Sequence, residues 1–122
     1  MVVQVPLLDM KRYSHLLAGA SWMAEYGNPD TADWDFIKTF SPYHLFDPAK
    51  SYPPVLFTTS TRDDRVHPGH ARKMAAKMID AGKDVTYYEN IEGGHGGAAN
   101  NAQAAHMSAL AYSFLWEQLS KK

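Results

Sequence analysis

Three runs of apolar and β-branched residues stand out along the chain, two of them each followed by a segment whose apolar positions recur at helical spacing. Val2 to Leu8 is the first, a short run broken by Pro6, and predicts a strand. The second, Pro54-Val55-Leu56-Phe57-Thr58-Thr59-Ser60, has strand length and ends abruptly in Arg62-Asp63-Asp64-Arg65. Beyond it Ala71, Met74, Ala75, Met78 and Ile79 fall at i, i+3, i+4, i+7 and i+8, which predicts an amphipathic helix. Pro68 suits its first turn, where a missing N–H is tolerated, and Gly82 is placed to stop it. The third run is Val85 to Ile91. After a glycine-rich loop, Met107, Leu110, Ala111, Phe114 and Leu115 repeat the helical stripe within a helix predicted from about Asn101 to Leu119. Strands alternating with helices in this way are the signature of right-handed βαβ units and a parallel sheet.

Residues 9 to 53 are less regular. Asp9 is a candidate cap for a short helix through Leu17. Gly19 to Pro29 reads as loop despite Trp22, Met23 and Tyr26. Ala32 to Phe40 predicts a short helix with Trp34, Ile37 and Phe40 on one side. Ser41-Pro42 ends it, because a residue before proline is pushed out of the helical region. Tyr43 to Pro53 reads as an irregular connection. There is no internal repeat, low-complexity tract or domain boundary. The fold class expected is α/β, with about three parallel strands and flanking helices.

Composition narrows the function classes. The chain has 122 residues, 45% hydrophobic and 20% charged, enough for one globular domain with a real core. Its 12 basic and 13 acidic residues nearly cancel without any block of one sign, so a nucleic-acid surface is not expected. With no cysteine, disulfides and thiolate metal sites are impossible. No apolar run approaches the roughly 20 residues that span a bilayer, so no membrane partner is expected. Met1 to Pro6 has no basic n-region and no cleavage site, and it leads almost directly into a strand. That start suggests a piece of something longer.

The chemistry collects at two strand ends. In a parallel sheet, ligands and catalytic groups gather just past the carboxyl ends of the strands. Asp63 follows the second strand and His95, within Gly93-Gly94-His95-Gly96-Gly97, follows the third, 32 residues later. That spacing fits neighbouring parallel strands joined by one helix. A carboxylate there can hold an imidazole in one tautomer and stabilise its protonated form. Taken singly, each is an ordinary surface-turn residue; the pair in this order favours catalysis. A nucleophile is harder to find. Gly19-Ala20-Ser21-Trp22-Met23 approaches the G-x-S-x-G elbow, yet Met23 replaces its last glycine and no buried strand leads into it. Asp63 and Asp64 with His67 and His70 invite a metal reading, but His67 to His70 straddles a helix start and no HExxH pattern occurs. The glycine loop lacks the lysine and hydroxyl of a phosphate cradle. Neither a metal nor a cofactor is expected.

Thr61-Arg62-Asp63-Asp64-Arg65-Val66-His67-Pro68, together with Glu92-Gly93-Gly94-His95-Gly96, resembles the C-terminal part of the catalytic domain of prolyl oligopeptidase-family serine peptidases. Leu8-Asp9-Met10, Trp22-Met23-Ala24-Glu25-Tyr26-Gly27 and Ser41-Pro42-Tyr43 extend the likeness to nearly the whole chain. The resemblance implies a partial α/β-hydrolase fold, with the family's nucleophile elbow and propeller outside these residues. It implies cleavage of short peptides after proline, with Asp63 as triad acid and His95 as triad base. Arg65 matches an arginine that binds a substrate carbonyl, and Trp22 a ring that stacks on the proline. Tyr26 and Val66 match other pocket walls. Without a serine the isolated chain is expected to be inactive. Val2 to Pro6, lacking the strand that would flank it, is expected to be a bare edge open to self-association. The alternative is a non-enzymatic module binding itself or a partner through that edge.

Overall fold

The computed structural model describes residues 1–121. Its centre is β2 (Val55–Ser60), all six residues of which are buried. Strand β1 (Val2–Gln4) pairs parallel with it on one side, Val2 opposite Leu56, and β3 (Val85–Asn90) pairs parallel on the other, Val55 opposite Val85. A strand covered on both faces reads as a continuous apolar run, which is why Val55-Leu56-Phe57 stood out. On one face Val55 and Phe57 pack with Met74, Ala75 and Met78 of the helix Gly69–Asp80, and with Phe46. On the other lies the helix Asn101–Leu119, whose His106 meets Tyr88 of β3 at 5.3 Å between ring centres.

Three short helices precede these two, so in chain order the helices are α1 (Met23–Tyr26), α2 (Trp34–Ile37), α3 (Pro42–Leu45), α4 (Gly69–Asp80) and α5 (Asn101–Leu119). A second core forms around Met10, Tyr13 and Ile37, ringed by Leu7, Trp22, Met23, Tyr26 and Trp34. Tyr13 is fully enclosed, and its hydroxyl donates to the Gly27 carbonyl. Gly19 lies so close to the Tyr13 carbonyl that a Cβ there would be 1.7 Å from its oxygen.

Several elements differ from expectation. The first strand stops at Gln4 because Val5 adopts φ 41, although its N–H still reaches the Thr58 carbonyl. Asp9 does cap a turn, its Oδ1 accepting from the N–H groups of Lys11 and Arg12. No α-helix follows it. Leu16 is extended and Leu17 has φ 51, so the chain breaks into 3-10 turns at Tyr13–His15 and Leu17–Trp22. The stretch read as loop therefore carries a 3-10 segment and α1. Ser41 is extended, as expected before proline, yet Pro42 opens α3 as its first helical residue. Ile79, placed on the buried stripe of α4, is exposed, and Gly82 stops the helix with φ 73.

Candidate active site

The carboxyl ends of β2 and β3 carry the site. Leaving β2, the N–H of Asp63 donates to the Ser60 carbonyl at 3.2 Å and turns the chain. The Asp63 carboxylate is fully enclosed, and its Oδ1 accepts from the N–H groups of Arg65 at 2.9 Å and Val66 at 3.0 Å. Two backbone donors thus hold the charge in place before any side chain arrives. His95 Nδ1 then lies 3.1 Å from both Asp63 oxygens. A carboxylate only accepts, so Nδ1 carries the hydrogen and the neutral ring's Nε2 is the basic nitrogen. Nε2 has no hydrogen-bond partner among the described residues, and the side chain is 37% exposed. This pair is what a general base needs: one nitrogen fixed on a buried anion, the other open to a reactant.

The other expected residues fall into place unequally. Trp22, Tyr26 and Val66, with Leu7 and Glu25, line a cleft of about 250 Å³. Arg65 is exposed and does not line it. Its carbonyl accepts from the Ala18 N–H at 3.2 Å, tying the acid turn to the segment that carries Trp22. Ser21 donates its hydroxyl to the Ala18 carbonyl at 2.6 Å, within its own turn. His67 Nδ1 accepts from the Gly69 N–H and His70 Nδ1 from the Asp9 N–H, so both imidazoles are turned to backbone rather than to Asp63. Asp64 is exposed beside them.

Two polar networks brace the strand ends. Glu89 of β3 accepts two bonds from Arg72 of α4, and also bonds from Thr61 and Tyr87. The Arg72 guanidinium draws the Glu89 carboxyl down to about 2, and Glu89 raises Arg72 in return. Burial, reinforced by the same carboxylate, raises the Tyr87 phenol. Thr61 lies two residues before Asp63, so this cluster anchors the acid turn. The second network ties the segment after β1 to α4, where Asp9 pairs with Lys73. Burial alone would raise Asp9, but Lys73, His44 and the Arg12 N–H together hold it below the usual carboxylate range. Burial takes His70, which touches the same turn, down to about 4.

Sequence reasoning missed Asn90 and Gln103, which tie the His95 loop together. The signal available was a polar residue closing an otherwise half-buried strand, directly before the glycine loop.

A parallel sheet with an acid past one strand and a histidine past the next is the arrangement of an α/β-hydrolase. The model of the prolyl oligopeptidase family matches residues 1–122, and the chain belongs to that family. It is 51% identical over 119 residues to the peptidase y4nA of Sinorhizobium fredii, covering 97% of this chain and 16% of that protein. It is 33% identical over 120 residues to the prolyl oligopeptidase ophP of Omphalotus olearius, covering 93% of this chain and 16% of that protein. Among solved structures, a prolyl endopeptidase superposes with a TM-score of 0.89 at 40% identity, covering 99% of this chain and 18% of its own. The chain thus spans less than a fifth of the length of the relatives it matches.

Proposed function

We propose that these 122 residues are the C-terminal portion of the catalytic domain of a serine peptidase that cleaves short peptides after proline. The observation carrying this reading is the contact of His95 Nδ1 with both oxygens of the enclosed Asp63, at the ends of adjacent parallel strands. In the reaction His95 Nε2 takes the proton of a serine hydroxyl as that oxygen attacks the proline carbonyl and gives it to the leaving amine; water, deprotonated by the same nitrogen, then hydrolyses the acyl-enzyme. Asp63 holds the ring and stabilises the imidazolium. Trp22 stacks on the proline, with Tyr26 and Val66 as further walls, and Arg65 binds a substrate carbonyl. The cleft that brings Trp22, Tyr26 and Val66 together supports this assignment.

The serine is not assigned to any of these residues, and Ser21, bonded within its own turn, is a poor candidate. The isolated 122-residue chain therefore has an acid–base pair with nothing to activate. Assayed on a chromogenic peptide cleaved after proline, it is expected to match the blank. Hydrolysis that disappears in His95→Ala would falsify this reading.

A second reading concerns the edge of the sheet. Strand β1 pairs only with β2 among the described residues. Beside it runs an apolar groove of about 320 Å³ that includes Met1, Val3, Leu8, Leu45 and Phe57. A second copy pairing along β1 would satisfy the free backbone groups and cover the exposed Met1 and Leu45 of both copies. Light scattering decides: a discrete dimer that dissociates on Val3→Pro supports pairing through this edge, and a monomer at high concentration contradicts it.

A further inference from the structure

Asn90 closes β3 and is 5% exposed, and both ends of its amide are used within one loop. Its Oδ1 accepts from the N–H groups of Glu92 at 2.9 Å and Gly93 at 3.0 Å. Its Nδ2 donates to the Gly97 carbonyl at 3.0 Å and to Gln103 Oε1 at 3.0 Å. Gln103 Oε1 also accepts from the Ala99 N–H at 2.7 Å, and the Gln103 N–H donates to the Asn100 cap of α5. One amide therefore clasps the limb before His95, the limb after it, and the first turn of the following helix.

The loop has reason to require a clasp. Glycines at 93, 94, 96 and 97 give it a large conformational entropy to lose. Gly97 sits at φ 83, and a Cβ on Gly93 would lie 2.8 Å from the Ala98 nitrogen, so the two limbs press directly on each other. Between them, His95 is bonded only to Asp63 among the described residues. The chemistry of the clasp is also selective. An aspartate at 90 accepts from Glu92 and Gly93 but sets oxygen against the Gly97 carbonyl and Gln103 Oε1, whereas asparagine supplies both acceptor and donors.

We infer that Asn90, with Gln103 as its second anchor, is a positioning residue that sets the loop so that the His95 imidazole meets both oxygens of Asp63. The inference rests on the proposed role of His95 as the base. Asn90 touches no reacting atom; it acts through the loop.

The test is the nitrogen NMR signature of His95 in the 122-residue chain. In the wild type the ring is expected in the Nδ1–H form, and Asp63→Ala converts it to the mixture of free imidazole. Asn90→Ala is expected to do the same, with the His106 and tryptophan resonances unmoved, and Asn90→Asp to follow it. Gln103→Ala, at a half-buried position, is expected to shift the ring part of the way. A folded Asn90→Ala chain that keeps the wild-type His95 signature overturns the inference. Should Asn90→Ala fail to fold, an unmoved His95 in Gln103→Ala overturns it instead. If Asp63→Ala itself leaves His95 unchanged, the acid–base reading falls and the role of Asn90 falls with it.

Discussion

Asp63 has two structural partners besides the histidine, and this separates its role in stability from its role in chemistry. Its enclosed carboxylate satisfies the Arg65 and Val66 N–H groups, so Asp63→Ala leaves two donors without an acceptor. We expect a loss of about 1–3 kcal/mol in urea denaturation. His95 is partly exposed, and His95→Ala is expected to stay within about 1 kcal/mol of wild type. Equal losses for the two variants would contradict this division. Both residues were legible in the sequence only as a pair, an acid past one strand and a histidine past the next at the spacing of one helix and one strand, because either alone is an ordinary turn residue. Asn90 was not. Its Oδ1 bonds are local, to Glu92 and Gly93, but its Nδ2 reaches the Gly97 carbonyl and Gln103 Oε1, and nothing in the local pattern shows which acceptors it will reach.

At the scale of elements, β2, α4, β3 and α5 were legible because their periodicity coincides with burial: Met74, Ala75 and Met78 line one face, and six buried residues make β2. Residues 13 to 26 were not, because tertiary contacts decide their backbone. Leu17 takes φ 51 and Gly19 packs against the Tyr13 carbonyl, which no local propensity specifies. That second core should be as costly to disturb as the sheet. Ile37, fully enclosed, is expected to lose about 2–5 kcal/mol on truncation to alanine, measured by thermal or urea unfolding. A loss under 1 kcal/mol would show that the segment contributes little.

The junction between the two cores also predicts a pH dependence. His70, on α4, must be neutral to accept the Asp9 N–H, and burial lowers it from 6.5 to about 4. The unfolded chain therefore binds this proton first. The stability His70 contributes is complete above about pH 6.5 and is lost as pH falls toward 4, by up to about 3 kcal/mol. Burial lowers His44 as well, and Asp9 lies below its ordinary value, so both act in the same direction, with Asp9 adding its loss at more acidic pH. Urea midpoints should fall steadily between pH 7 and pH 4.5; a flat profile over that range contradicts the assignment.

The whole molecule leaves large apolar side chains exposed in separate places. Tyr112, Trp116 and Leu119 form one exposed stripe on α5, while the groove beside β1 and the free edge of that strand lie elsewhere. The chain spans 16% of the lengths of the S. fredii and O. olearius relatives. In the proposed function, the residues present supply acid, base and proline pocket to a serine held by other residues. The direct measurement replaces the matching segment of the O. olearius prolyl oligopeptidase with these 122 residues and follows hydrolysis after proline. A folded, active chimera is expected, whose kcat/KM falls by about 10⁴-fold or more with His95→Ala. A folded chimera that hydrolyses the peptide equally well with and without His95 would contradict it.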